Sequence, residues 1–193
     1  SGEATKKTML LDGVDSTKIL ITGIPRFSYL FNNINNKPNK DNHRILYLTS
    51  AYDWHGGFRE EKKIQEKMFS FLEELSALLN NKSITVRIHS RDNSNYKTNI
   101  LNLQSSTNTP LLNALQENNI IFSTSYPSTV LFEAIWLNKK VFVAGTSKET
   151  KENFWDSNFK NIIPLFKLES FIQKPIEHIE RLNVNISPKY KEY

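Results

Sequence analysis

Short apolar, β-branched runs alternate with longer stretches of helical period along this chain. Residues 18–22, 44–49, 83–88, 119–123, 140–144 and 162–166 each read as a buried strand, because continuous apolar runs of this length suit a sheet covered on both faces. Between them, Ile64, Met68, Phe71, Leu72, Leu75, Leu78 and Leu79 recur at helical spacing and predict a core-facing helix starting near Arg59 or Glu60. Pro110 with Leu111, Leu112 and Leu115 predicts a short helix, and residues 128–137 another. Residues 169–182 carry Phe171, Ile172, Ile176 and Ile179 and predict a closing helix that Pro175 kinks or splits. The intervening stretches 32–42 and 93–109 are polar and without period, so they read as loops.

Strands that alternate with helices predict a parallel sheet, since crossover helices must lie against its faces. The expected fold class is therefore α/β, a Rossmann-like doubly wound domain over residues 18–193, with residues 1–17 as a lead-in. At 193 residues, one domain of this kind is the natural organisation. Twelve Phe and 3 Trp supply core, and no apolar run reaches membrane-spanning length. No secretory pattern opens the sequence, so a cytoplasmic location is expected.

Without cysteine, disulfides, thiolate metal sites and Cys nucleophiles are excluded. The net charge of +5 comes from Lys scattered among Asn, without a basic stripe interleaved with aromatics, so nucleic acid is not the expected partner. A modest positive field suits a phosphorylated small molecule or the rim of an anionic membrane. No HExxH, His-Cys cluster, calcium loop or Gly-x-Ser-x-Gly elbow is present, so no metal cofactor is expected.

In parallel sheets, ligands bind outside the carboxyl ends of the strands. The residues there are polar in this chain: 23–26, 50–57, 89–92, 124–129 and 144–147. The strand, hydroxyl-rich turn and helix of residues 119–134 is the centre of this edge. Free N–H groups and the Ser128 and Thr129 hydroxyls at its helix start suit a phosphate oxygen, although the same residues serve as ordinary helix caps. Gly56 and Gly57 let backbone approach a ligand before a helix, without the full spacing of a glycine-rich fingerprint. His55 is a further loop candidate, able to donate to a phosphate. His89 beside Arg91 places an imidazole and a guanidinium where both can meet phosphate oxygens. Glu133 can accept ribose hydroxyls or pair with the helix dipole.

Gly23-Ile24-Pro25-Arg26 with Leu30, Ile45-Leu46-Tyr47 ending on Thr49, Arg87-Ile88-His89, and residues 128–134 together resemble the ordered landmarks of the donor-binding half of GT-B glycosyltransferases. The CDP-glycerol glycerophosphotransferase group of teichoic-acid and capsule enzymes is the nearest resemblance, and bacterial sialyltransferases share a comparable histidine and hydroxyl pair. The resemblance spans roughly residues 18–145 and implies that His89, Ser128 and Thr129 contact donor phosphates, with Glu133 nearer the ribose and Arg26 at the junction between the two halves. Ser90 stands where those families carry proline, and Pro127 where glycerophosphotransferases often show Asp-Tyr. The resemblance further implies a CMP-, CDP- or UDP-linked donor, a glycan or lipid-linked acceptor held by a separate N-terminal domain, and peripheral contact with the inner membrane face. UDP-sugar 2-epimerases share the architecture, and a non-enzymatic nucleotide- or partner-binding module is the reading from a different class.

Overall fold

A computed structural model of the chain describes residues 3–20, 44–52, 59–80, 84–124, 128–144 and 165–182. Six parallel strands form one sheet: β1 Ile45–Leu48, β2 Ile84–Ile88, β3 Asn102–Ser105, β4 Ile120–Ser123, β5 Lys140–Ala144 and β6 Leu165–Phe166, in the order β3-β2-β1-β4-β5-β6. The described helices are α1 Glu3–Leu11, α2 Arg59–Leu78, α3 Leu111–Glu117, α4 Thr129–Trp136, α5 Leu168–Phe171 and α6 Pro175–Arg181.

The central strands are mostly apolar because both of their faces are buried. Successive side chains point to opposite faces of a strand, so each run feeds two cores at once. Ile45, Tyr47, Ile84, Val86, Ile120, Phe122, Phe142 and Ala144 pack with Met68, Phe71, Leu72 and Leu75 of α2 and with Phe171 and Ile179 of α5 and α6. Leu46, Leu48, Ile121, Val141 and Val143 pack on the other face with Ala114 and Leu115 of α3 and Leu131, Ala134 and Ile135 of α4. Phe122, Phe142, Phe166 and Phe171 interlock with ring centroids 4.8–6.3 Å apart, mostly edge to face. This is the expected doubly wound α/β fold.

Helix α4 ends in a Schellman motif: Asn138 takes a positive φ of 57°, Lys139 N–H donates to Ala134 O and Asn138 N–H to Ile135 O. The chain thereby reverses straight into β5 without a glycine. Pro175 sits at the first turn of α6, where its missing N–H costs nothing, so the predicted closing helix is split into α5 and α6.

Four expectations are corrected. Residues 93–109 are not all loop, because Asn102–Ser105 pairs with β2 as an edge strand whose polar residues hide it from any hydrophobic pattern. Lys18, the first residue of the predicted first strand, ends a 3-10 turn over residues 16–18 whose Asp15 side chain accepts from Thr17 N–H at 2.9 Å; residues 21 and 22 lie outside the described part. The lead-in contains α1. On α2, Leu78 is 53% exposed rather than core, while Gln65 is buried. Among the described residues no helix is long and apolar enough to cross a membrane.

Candidate functional site

The order of the sheet fixes where a ligand belongs. From β1 the chain proceeds to β2 on one side, and from β4 to β5 on the other, so the strand order reverses between the neighbours β1 and β4. In sheets of this kind a ligand crevice lies outside the carboxyl ends of the two strands at the reversal.

Thr49 closes the β1 end of that crevice. Its N–H donates to Arg87 O at 3.1 Å, extending the ladder one residue past the strand, and its Oγ1 accepts the His89 N–H at 2.9 Å. The residue that leaves β2 is thus pinned to the residue that leaves β1. His89 is exposed, and its Nδ1 accepts the Arg91 N–H at 3.1 Å. With Nδ1 occupied as an acceptor, the neutral ring carries its proton on Nε2, which is left as the donor available to a ligand. Arg91 is exposed beside it.

Gln65 organises the next residue. Its Oε1 accepts the Ser50 N–H at 2.7 Å and its Nε2 donates to Ser50 O at 2.9 Å, so one side-chain amide pairs with a peptide group as a strand would. Nε2 also donates to Tyr96 Oη at 2.8 Å. Tyr96 donates to Asp92 Oδ2 at 2.8 Å and stacks on Phe69 with centroids 4.1 Å apart, while Asp92 Oδ1 accepts the Ser94 N–H at 3.1 Å. Burial drives the Tyr96 ionisation up, and Asp92 adds to the rise, so Tyr96 is a neutral donor. Asp92 is engaged in structure.

Across the point of reversal, Tyr52 Oη donates to Thr124 Oγ1 at 3.0 Å. Beneath them the Tyr47 hydroxyl is fully buried, without a close hydrogen-bond partner among the described residues. Burial raises the Tyr47 ionisation well above the ordinary tyrosine range; Thr124 opposes this, and Tyr52, Tyr96 and the Asp92 carboxylate add to it.

On the β4 side, Ser128 is the N-cap of α4, but its side chain makes no cap hydrogen bond. Its carbonyl accepts the Leu131 N–H at 3.1 Å. Ser128 is half-buried and Thr129 exposed, so hydroxyls and first-turn N–H groups stand at the helix start without the side-chain cap that such residues usually provide. Glu133 is fully buried within α4, a position that suits support of the helix rather than contact with a ribose at the open edge.

Strand β1 separates β2 from β4, so the strand ends that lead to His89 and Ser128 are two strand spacings apart, about 9–10 Å. That span suits a group larger than one phosphate. Arg26, His55, Gly56 and Gly57 lie outside the described residues. Arg87 is buried and donates to Thr109 O at 2.6 Å and to Ser106 O at 3.0 Å, which ties down the turn after β3. No group of three or more His, Cys, Asp or Glu is gathered for a metal among the described residues.

Among the described residues the arrangement offers neutral and positive donors along a sheet edge, with the Asp92 carboxylate already engaged. It can hold an anion at α4 and His89 and a neutral polar group over the hydroxyls between them. Gln65, Tyr47 and Tyr96 were not expected here; the available signal was Gln65 itself, a polar residue in the stripe of Met68, Phe69 and Leu72.

No family model matches this chain, and no curated protein does. Among solved structures, the wall teichoic acid polymerase TagF is similar with a TM-score of 0.54 and 14% identity, over 88% of this chain and 45% of that one. A glycotransferase of kitacinnamycin is similar at a TM-score of 0.43 and 12% identity, over 89% of this chain and 45% of that one, a score too low to bear on the fold. The chain spans less than half the length of TagF and has the fold of the part it matches.

Proposed function

We propose that this chain is the donor-binding half of a GT-B transferase that moves a sugar or a polyol phosphate from a CMP-, CDP- or UDP-linked donor to a glycan or lipid-linked acceptor. The observation that carries the reading is the uncapped start of α4 beside the Thr49–His89 clamp, at the carboxyl edge where the strand order reverses. Donors held in place there, on rigid elements, stabilise charge on a leaving phosphate without reorganising during reaction. His89 Nε2–H and the α4 N–H groups would meet the phosphates, with Ser128, Thr129 and Arg91 as further donors. The reading assigns Arg26 to the domain junction and Gly56 and Gly57 to a close approach of backbone to the donor.

The fold shared with part of a teichoic acid polymerase supports this assignment, as does the share of that chain matched. A second domain would bring the acceptor and the general base, so transfer is proposed for the two halves together, at the inner face of the membrane and without a metal. The test is a thermal-shift screen with CMP, CDP, UDP and GDP, since a ligand of the native state raises stability by mass action. Stabilisation by one pyrimidine nucleotide, lost in His89→Ala, is the expected result. No shift with any of the four overturns the reading.

A further inference from the structure

The sheet face that carries α2, α5 and α6 has a cavity of about 380 Å³ at its β5 and β6 side. Phe142 of β5, Phe171 of α5 and Leu182 just past α6 are its buried floor, and half-buried Phe166 of β6 and His178 of α6 its walls. Lys167, Ser170 and Arg181 are exposed and form its mouth. The cavity is apart from the candidate site described above: α4 covers the opposite face of the sheet, and His89 follows β2, three strands away from β5. At about 30 Å³ for each water-sized group, it takes about a dozen non-hydrogen atoms.

The mouth selects the head of a ligand. Among the described residues, no acidic side chain lines the cavity, Lys167 has no ion pair, and the side chains of Lys167, Ser170 and His178 make no hydrogen bond. Arg181 pairs with Glu177 one turn back on α6, but these side chains are 74% and 36% exposed, and a pair so open to water exchanges readily for another anion. Two cations, an imidazole and a hydroxyl can together serve the several acceptor oxygens of a phosphate monoester.

The floor selects the tail. Phe171 and His178 stack with centroids 5.0 Å apart and planes at 19°, whereas a ring held between them would need about 7 Å, two contacts of about 3.5 Å each. Phe142 meets Phe171 at 81° and Phe166 at 89°, so these rings do not form a parallel-walled slot for a planar group. A flexible chain fits among ring edges where a base or an aryl group does not.

We propose that this cavity binds a single-chain alkyl phosphate monoester of about octyl length, with its chain on Phe142, Phe171 and Leu182 and its phosphate at Lys167 and Arg181. This site is additional to the donor-binding reading and does not rest on it.

Calorimetry compares octyl phosphate, kept below its micelle concentration, with 1-octanol, phenyl phosphate and inorganic phosphate. Wild type is expected to bind octyl phosphate at least about ten-fold more tightly than each of the others, because it alone engages floor and mouth together. Lys167→Gln and Arg181→Gln, both at exposed positions, should keep the wild-type Tm and each lose about ten-fold of affinity for octyl phosphate, the scale of one charge-assisted hydrogen bond. Ser170→Trp, which sets a large side chain in the mouth, should abolish binding at unchanged Tm. Octyl phosphate bound no more tightly than octanol reveals an apolar hollow without a phosphate site, and bound no more tightly than inorganic phosphate a surface anion site; either overturns the inference, as does tighter binding of phenyl phosphate. Affinity unchanged in both glutamine variants also overturns it. So does retention of wild type on vesicles of phosphatidylcholine and phosphatidic acid without any binding of monomeric octyl phosphate, since that is contact with a bilayer surface rather than capture of a chain. A parallel loss of nucleotide affinity in the three variants would merge the cavity with the donor site and overturn its separate role.

Discussion

Tyr52 donates to Thr124 at 3.0 Å across the place where the strand order of the sheet reverses. The bond joins the loop after β1 to the end of β4, two segments 72 residues apart, and it is buried. A neutral bond of this kind contributes about 1 kcal/mol net, and a buried group left alone costs about 1–3 kcal/mol. Tyr52→Phe should therefore lower stability by about 1–2 kcal/mol in denaturant unfolding, and Thr124→Val by a similar amount. In the double variant the two losses should fall short of their sum, because both remove one bond. Full additivity would show that the hydroxyls do not interact in solution.

Gln65 makes the stronger claim on stability. Removing its amide strands the N–H and C=O of Ser50 and a partner of Tyr96 together, so Gln65→Met should cost about 2–4 kcal/mol despite preserving volume. Gln65→Glu keeps the acceptor for Ser50 N–H, loses the donor, and brings a charge near Asp92. It should be no better than Met at neutral pH. Equilibrium unfolding of both variants checks the ordering.

These groups explain what pattern reading reaches and what it misses. β1, β2, β4 and β5 stand out because their buried positions make them mostly apolar; β3, at the edge, has no such obligation and reads as loop. The split at Pro175 follows from one missing N–H. The partners of the candidate site are different in kind. Thr49 meets His89 across 40 residues and Gln65 meets Tyr96 across 31, contacts that depend on which strands become neighbours. The order β3-β2-β1-β4-β5-β6 is not written in any local period. Polar residues after each strand could be seen as a set, but not which of them face one another.

Lys139 provides a pH test remote from the site. It is buried ahead of β5, donates to Gln116 O at 3.1 Å, and burial lowers its pKa to about 8. An unfolded lysine titrates near 10.4, roughly, so between these values the unfolded chain binds more protons than the folded one. The penalty of burying the charge is present in full below about pH 8 and relieved as pH rises toward the unfolded value. Lys139→Met should raise Tm at pH 7, with the advantage over wild type shrinking between pH 8 and 10.5, roughly. An advantage constant across that range would show that packing, not charge, sets the difference.

Thr49 offers a way to disturb His89 without touching it. Thr49→Val keeps the shape and removes the acceptor of the His89 N–H. His89 is exposed, so water can replace that bond, and the cost to stability should be about 1 kcal/mol or less. The end of β2 would lose its anchor to β1, and nucleotide affinity should fall although the substituted side chain meets no ligand. Thr49→Ser, which restores the hydroxyl, should restore affinity. Titration calorimetry with the nucleotide found in the thermal-shift screen decides it.

The hydroxyl pair at α4 decides between capping and ligand contact. A Ser that caps its helix contributes about 1 kcal/mol, and its loss appears in Tm whether or not a ligand is present. Ser128 holds the N-cap position without that bond, so Ser128→Ala should change stability by less than about 0.5 kcal/mol. If its hydroxyl and His89 hold one diphosphate across the width of β1, each substitution should weaken nucleotide binding by roughly 1–3 kcal/mol. Combining His89→Ala with Ser128→Ala and Thr129→Val should then cost less than the sum, because a ligand released at one end is poorly held at the other. A cap produces the opposite signature: lower Tm, unchanged affinity and strict additivity with His89→Ala. The melting curve of Ser128→Ala alone separates the two, since only the cap requires it to move.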